Sequence, residues 1–108
     1  MPQFPASIAV GLLLATAACG GESTPDGQWP LRAALLTSGP VSDAGWYAGA
    51  YDGLLLIEEM LGAQVSHQQT ATPAEFDEAF MAYAESGYDM IFAHGFEYQD
   101  AAMRAGER

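Results

Sequence analysis

From residue 31 onward, three short strand-like segments alternate with longer segments of helical character, and this alternation constrains the fold more than any other feature. The first and third segments are apolar, LRAALLT (31–37) and YDMIFAH (88–94). The second, QVSHQQ (64–69), is predicted to be a strand because it contains Val65 and lies between two helices. Strands that alternate with helices form a parallel sheet with right-handed crossovers and helices on both faces. We therefore predict an α/β fold in the order β-α-β-α-β-α.

The segments between the strands carry helix signals. Asp43 is placed to cap the first helix at its start. In the second helix, Thr72 is the N-cap, Pro73 takes the first helical position and Glu75 completes a capping box. The stretch GFEYQDAAMRA (95–105) is expected to turn into a third helix. Apolar residues at alternating spacings of three and four form the core face of the first helix, namely Tyr47, Ala50, Leu54, Ile57 and Leu61.

The amino-terminal segment differs in character from the rest. Residues 8–18, IAVGLLLATAA, are eleven uncharged residues, too few to span a bilayer but typical of the apolar core of a signal peptide. Cys19 follows two alanines and precedes a polar stretch rich in Gly, Ser and Pro, which resembles a bacterial lipobox. We predict a lipoprotein signal peptide over 1–18, lipid attachment at Cys19, a flexible tether over 19–30 and a folded domain over 31–108. The alternative is a free cysteine buried in an apolar helix.

The charge balance excludes one class of partner. Fourteen carboxylates stand against three cations, Arg32, Arg104 and Arg108, and the formal net charge is −11. Such a chain repels phosphate backbones, and it has no basic stripe with interleaved aromatics of the kind that nucleic-acid binding requires. We therefore expect no nucleic-acid partner.

Two loops carry the side chains from which we predict a binding site. In a parallel sheet, ligands bind beyond the carboxyl ends of the strands, at the point where the strand order reverses. If the spatial order of the strands is 2-1-3, the loops after the first and third strands are neighbours there. Aromatic faces with hydrogen-bond acceptors suit a planar, uncharged molecule such as a purine or nucleoside, and suit a sugar less well. The candidate ligand-binding residues are Asp43, Trp46, His94, Gly95 and Phe96.

Several of these residues have alternative interpretations. Trp46 could pack in the core, and Asp43 could serve only as a helix cap. His94 could ligate a metal in an enzyme, together with Glu97 or His67, but neither histidine sits in an i, i+4 pair on a helix. A flavodoxin-like or receiver-type domain shares the element order, but the glycine-rich phosphate fingerprint and the acidic pair are missing after the first strand. We therefore expect a binding protein with no enzymatic activity, metal or cofactor.

Three motifs resemble one known family. They are the D-x-G-W signature at 43–46, the TPAEF helix start at 72–76 and the run GYDMIFAHGF at 87–96. Together they look like the amino-terminal lobe of the basic membrane protein family, the lipoprotein solute-binding proteins that serve nucleoside importers of the ABC type. The similarity covers nearly all of 31–103. It implies a three-layer lobe of the type I periplasmic-binding-protein fold.

The resemblance also implies roles for particular residues. In this family the acidic and aromatic residues of the first signature contact the purine and stack on it, which assigns these roles to Asp43 and Trp46. Gly95 and Phe96 correspond to the pocket edge. Tyr47 departs from the family pattern, because members with Phe at the Trp46 position usually carry Asn next.

The family resemblance extends to compartment and partners. It implies a protein that is lipid-anchored on the extracytoplasmic face of the membrane and that has an ABC permease as its partner. Family members are considerably longer and close two lobes around the ligand, so we expect this chain to supply part of the first lobe. The alternatives are a binder of a sugar or another small molecule with the same fold, and a regulatory or sensor protein without transport.

Overall fold

The computed structural model describes residues 30–108. The predicted signal peptide, Cys19 and the tether as far as residue 29 lie outside the described residues. The elements follow the predicted order: β1 (Arg32–Thr37), α1 (Trp46–Leu61), β2 (Gln64–Gln69), α2 (Pro73–Glu85), β3 (Met90–His94), a 3-10 turn (Phe96–Tyr98) and α3 (Gln99–Gly106). None of the helices in this described part is both long and apolar enough to cross a membrane.

The three strands form one parallel sheet in the order β2-β1-β3, which is the order that makes the loops after β1 and β3 neighbours. β1 is the central strand, and its Leu35 lies opposite His67 of β2 on one side and Phe92 of β3 on the other. A central parallel strand has helices on both faces and must therefore be apolar on both. This requirement explains why residues 33–36 are all buried.

β3 begins later than the sequence predicted. The apolar run suggested a strand over 88–94, whereas β3 starts at Met90. Asp89 binds Arg32 twice, because its carboxylate accepts from the Arg32 backbone N–H (2.8 Å) and its own N–H donates to the Arg32 carbonyl (2.9 Å). The Tyr88 ring lies 4.3 Å from the Arg32 guanidinium carbon. The Asp89 side chain thus accepts from the Arg32 N–H, which would otherwise donate to a backbone carbonyl of β3. The regular strand therefore starts only after Asp89.

Helices cover both faces of the sheet. Successive side chains of β1 point to opposite faces, so Leu36 packs toward α2 and α3 while Leu35 packs toward α1. On the α1 side, Leu54 contacts Ala33 and Leu35. This arrangement gives the predicted three layers. The buried cluster on the other side consists of Leu36, Phe76, Ala79, Phe80, Tyr98 and Ala101.

Within the described residues, β3 is covered on one face only. Ile91 and Ala93 pack against the α2 and α3 cluster, whereas Met90 and Phe92 remain exposed. On the α1 side, a groove of about 340 Å³ lies between α1 and β3 and is lined by apolar side chains and His94. The groove therefore borders the carboxyl end of β3.

Buried polar groups hold the ends of β1 and β2. The hydroxyl of the fully buried Thr37 donates to the Gly39 carbonyl (2.7 Å), and its oxygen accepts from the Nε2–H of His67 (2.8 Å). Burial lowers the pKa of His67, because the charged imidazolium loses hydration. The Tyr98 and Thr70 hydroxyls share a buried hydrogen bond of 2.7 Å. These contacts fix the points at which the chain leaves the sheet.

α2 begins with the predicted capping box. The Thr72 hydroxyl oxygen accepts from the Glu75 backbone N–H (3.4 Å), and the Glu75 carboxylate accepts from the Thr72 N–H (2.8 Å). Hydrogen bonds from the Ala71 and Thr72 backbone lower the pKa of Glu75, since they stabilise the ionised carboxylate.

Replacing Thr72 by alanine should destabilise the fold, because the Glu75 N–H loses its acceptor. Substitutions at caps of this kind cost about 1 kcal/mol of the free energy of unfolding. Urea unfolding followed by circular dichroism measures the change. Thr72→Ser keeps the hydroxyl and is the matched control, which should unfold close to the parent protein. Equal stability of Thr72→Ala and the parent would contradict the capping role.

Candidate functional site

The loops that follow β1 and β3 meet at one end of the sheet, called here the carboxyl edge. The strands are parallel and β3 pairs directly with β1, so their carboxyl ends lie side by side. The Ser38 hydroxyl donates to the Glu97 carboxylate across the two loops, and His94 contacts Trp46 at the start of α1. All the predicted site residues lie in these loops or at the element ends beside them: Asp43, Trp46, His94, Gly95 and Phe96.

Asp43 caps α1. Its Oδ1 accepts from the backbone N–H groups of Gly45 and Ala48, and its Oδ2 accepts from that of Tyr47, all at 3.0 Å. These hydrogen bonds lower the pKa of Asp43, and the bond from Tyr47 contributes most to this shift. The cap that the sequence allowed is therefore present. The side chain is exposed, and Oδ2 accepts only one of the three bonds, so it can accept another from a ligand.

Trp46 lies on the surface, and the alternative that it packs in the core is wrong. It is 65% exposed. Its ring packs on the His94 imidazole, with centroids 4.3 Å apart and planes inclined by 36°. The Nε2–H of His94 donates to the Trp46 carbonyl oxygen (3.1 Å), so the neutral imidazole carries its proton on Nε2 and can accept at Nδ1. His94 therefore supports Trp46 through both ring and backbone.

Gly95 and Phe96 form the turn out of β3. Gly95 has φ +139°, a conformation that residues with side chains rarely adopt, and a Cβ at this position would collide with the Glu97 carboxylate. Phe96 opens the 3-10 turn and is 91% exposed. The carboxyl edge thus presents two large aromatic side chains to solvent, those of Trp46 and Phe96.

Three residues outside the predicted set join the two loops, and we call them the Ser38–Tyr47–Glu97 cluster. The Tyr47 hydroxyl lies 2.9 Å from the Ser38 oxygen, and because the Ser38 hydroxyl donates to Glu97, the tyrosine donates to the serine. The bond from Ser38 is the main reason why the pKa of Glu97 lies below its usual range. The sequence pattern predicts Tyr47 on the apolar face of α1, and it offers Glu97 only as an alternative metal ligand. Their positions beside two strand ends were the one available signal.

The histidines are engaged in hydrogen bonds. His67 donates to Thr37 and His94 to Trp46. Among residues 30–108, no three His, Cys, Asp or Glu side chains are grouped so that they could hold a metal ion.

The fold and the carboxyl edge together define a class of protein. In parallel α/β domains, ligands bind at the carboxyl ends of the strands, and exposed aromatic rings with hydrogen-bonding groups on adjoining loops are typical of such sites. The family model Bmp, described as ABC transporter substrate-binding protein PnrA-like, matches residues 31–108. The chain belongs to this family, which confirms the resemblance that its motifs indicated.

Solved structures similar to this chain include an ABC transporter system solute-binding protein from Conexibacter woesei DSM 14684, with 23% sequence identity and a TM-score of 0.67. The similarity covers 71% of this chain and 26% of the other, so this chain spans about a quarter of that protein's length. At this identity the likeness shows the fold, a parallel α/β lobe. Among curated proteins, none matches the sequence.

Replacing Asp43 by asparagine should destabilise the protein at neutral pH. Asparagine has one acceptor oxygen, so it cannot bind the N–H groups of Gly45, Tyr47 and Ala48 as the carboxylate does. Because folding lowers the pKa of Asp43 from 3.8, its contribution is fully present above pH 3.8 and is lost as the pH falls through the lowered pKa.

Thermal unfolding of both proteins between pH 7 and pH 2 measures this effect. The difference in melting temperature should be largest at neutral pH and should close at the acid end. Asp52→Asn, an exposed carboxylate further along α1, is the matched control. A constant difference across the pH range would contradict the role of the ionised Asp43.

Proposed function

We propose that this chain is part of the solute-binding component of an ABC importer, and that its ligand is a purine nucleoside or a related planar, uncharged molecule. The observation that carries this proposal is the exposed Trp46 indole, supported by His94 at the carboxyl edge. Aromatic side chains of this kind stack on nucleobases, and the stacking contributes about 1–3 kcal/mol per base in proteins that bind single strands.

Hydrogen-bond acceptors accompany the indole. Asp43 stays ionised because three backbone N–H groups stabilise its carboxylate, and one of its oxygens has capacity for a further bond. Purine nucleosides offer N–H and O–H donors that would use it. The family resemblance implies the same pair of roles, with Trp46 stacking on the base and Asp43 binding its edge. Phe96 supplies a second exposed aromatic surface.

The described residues would form one side of the binding site. The similar solved protein is much longer, since this chain covers 26% of it, and the family resemblance implies two lobes that close around the ligand. We propose that groups from a second lobe bind the remaining faces of the nucleoside. Closure by two lobes would also exclude water from the stacked base. The protein expressed from its complete gene is therefore the right sample for binding experiments.

Anchoring to a membrane is a separate part of the proposal. Substrate-binding proteins of ABC transporters act outside the cytoplasm, and the apolar run 8–18 followed by Cys19 is typical of a lipoprotein leader. We propose that Cys19 carries the lipid and that the polar stretch after it separates the anchor from the domain. A tether of this kind would leave the binding site accessible to solute and permease.

Calorimetric titration with guanosine, adenosine and inosine tests the ligand. We expect binding by the protein expressed from its complete gene, and Trp46→Ala should weaken it at least tenfold, about 1.4 kcal/mol. Trp46→Phe keeps an aromatic face and should retain more affinity than alanine. Met60→Ala removes a side chain that is as exposed, at the far end of α1, and should leave affinity unchanged. Heat with sugars and none with nucleosides would overturn the ligand assignment.

Metabolic labelling with radioactive palmitate tests the anchor. The parent protein should incorporate the label and sediment with membranes, because the cysteine thiol is the acylation site. Cys19→Ala should abolish both. Cys19 is the sole cysteine in the sequence, so no other thiol can carry the lipid. Persistent labelling of the variant would refute attachment at this residue.

A further inference from the structure

The Ser38–Tyr47–Glu97 cluster points to a specificity-determining residue at the carboxyl edge. We propose that Glu97 sets the ligand selectivity of the site. Held by Ser38, its carboxylate binds hydrogen-bond donors of an uncharged ligand and repels ligands that carry a phosphate group. The inference rests on the proposed function, because it concerns the same edge of the sheet that presents Trp46.

A chain of two hydroxyl groups holds the Glu97 carboxylate in place. Tyr47 donates to Ser38, and Ser38 donates to Glu97, so the two hydroxyls form a directed chain that ends on the carboxylate. Gly39 is buried beneath the Tyr47 ring, where a Cβ would collide with the ring. Gly95 leaves room for the carboxylate itself. Hydrogen bonds in a chain polarise and strengthen one another, which makes this carboxylate a preorganised group.

About half of the hydrogen-bonding capacity of this carboxylate is free. A carboxylate has about four acceptor positions. Within the described part of the chain, Ser38 and the backbone of Glu97 itself are the donors that reach it. The side chain is exposed and follows directly after Phe96 in the turn that leaves β3. A ligand stacked on Trp46 would therefore meet an ionised acceptor with unused capacity.

All three arginines contact groups other than Asp43 and Glu97. These two carboxylates are therefore not paired with an arginine among the described residues, and a site with two ionised carboxylates disfavours an anionic ligand. The His94 imidazole lies near Glu97. The contacts of the arginines are Arg104 with Asp77 on α2 (2.9 Å), Arg108 with the sulfur of Met81 (3.2 Å), and Arg32, at the amino end of β1, with the Ser86 carbonyl and the Tyr88 ring.

A pair of ligands that differ by one phosphate tests the inference. The protein expressed from its complete gene is titrated with guanosine and with guanosine 5′-monophosphate at pH 8, where imidazole groups are ordinarily neutral. The parent protein should prefer guanosine at least tenfold. Glu97→Gln keeps the shape and removes the charge, and it should reduce that preference at least tenfold. Glu58→Gln, an exposed carboxylate near the end of α1, should leave the preference unchanged.

A second variant separates charge from positioning. Ser38→Ala removes the hydroxyl that holds Glu97 but keeps the negative charge. It should weaken guanosine binding while the preference for guanosine over its monophosphate persists. If Glu97 had only a structural role, Glu97→Gln would weaken both ligands equally and leave their ratio unchanged, which would overturn the inference. Melting temperatures close to the parent value confirm that both variants are folded.

The same titrations separate the role of Glu97 from nucleoside binding by the protein. If the parent binds guanosine and Glu97→Gln leaves the preference intact, Glu97 is not the selectivity residue and nucleoside binding stands. If the parent binds ribose rather than guanosine, the nucleoside assignment fails, and ribose against ribose 5-phosphate tests Glu97 by the same criterion. No heat with either pair overturns both proposals.

Discussion

β1 hydrogen-bonds to a parallel strand on each side, and the meeting of the two loops that carry the candidate site residues depends on that pairing. Parallel pairing places the carboxyl ends of β1 and β3 next to each other, so two loops that are distant in sequence become neighbours. The contacts of Ser38 with Glu97 and of Trp46 with His94 both follow from this arrangement. The buried apolar residues 33–36 make the pairing stable, because helices pack on both faces of the central strand.

Structural roles and the proposed binding roles fall on the same side chains at the carboxyl edge. Asp43 caps α1, and the N–H groups that it binds also keep it ionised. His94 ends β3, donates to the Trp46 carbonyl and supports its ring. Glu97 ties the loop after β3 to the loop after β1. Groups that are held in place before a ligand arrives lose little freedom on binding, which favours affinity.

The local architecture could be predicted because its signals are local. The capping box of Thr72 and Glu75 is readable within four residues, and the parallel α/β class follows from the alternation of elements. Family membership was visible in contiguous motifs, and the match to residues 31–108 confirms it. The start of β3 was predicted too early because Asp89 binds Arg32, 57 positions away. No short stretch of the sequence contains both partners of such a contact.

The sequence alone thus determined the α/β class, the helix caps and the two loops in which the candidate site residues lie, since periodicity and capping act over a few neighbouring residues. Tertiary structure decided the spatial order of the strands and the contacts of those residues. It exposed Trp46 on a histidine support and turned Tyr47 from an expected core residue into a hydrogen-bond donor. It also joined Ser38 to Glu97 across 59 positions. Such contacts depend on the distances between the ends of side chains after the strands have paired. Only the folded sheet specifies those distances.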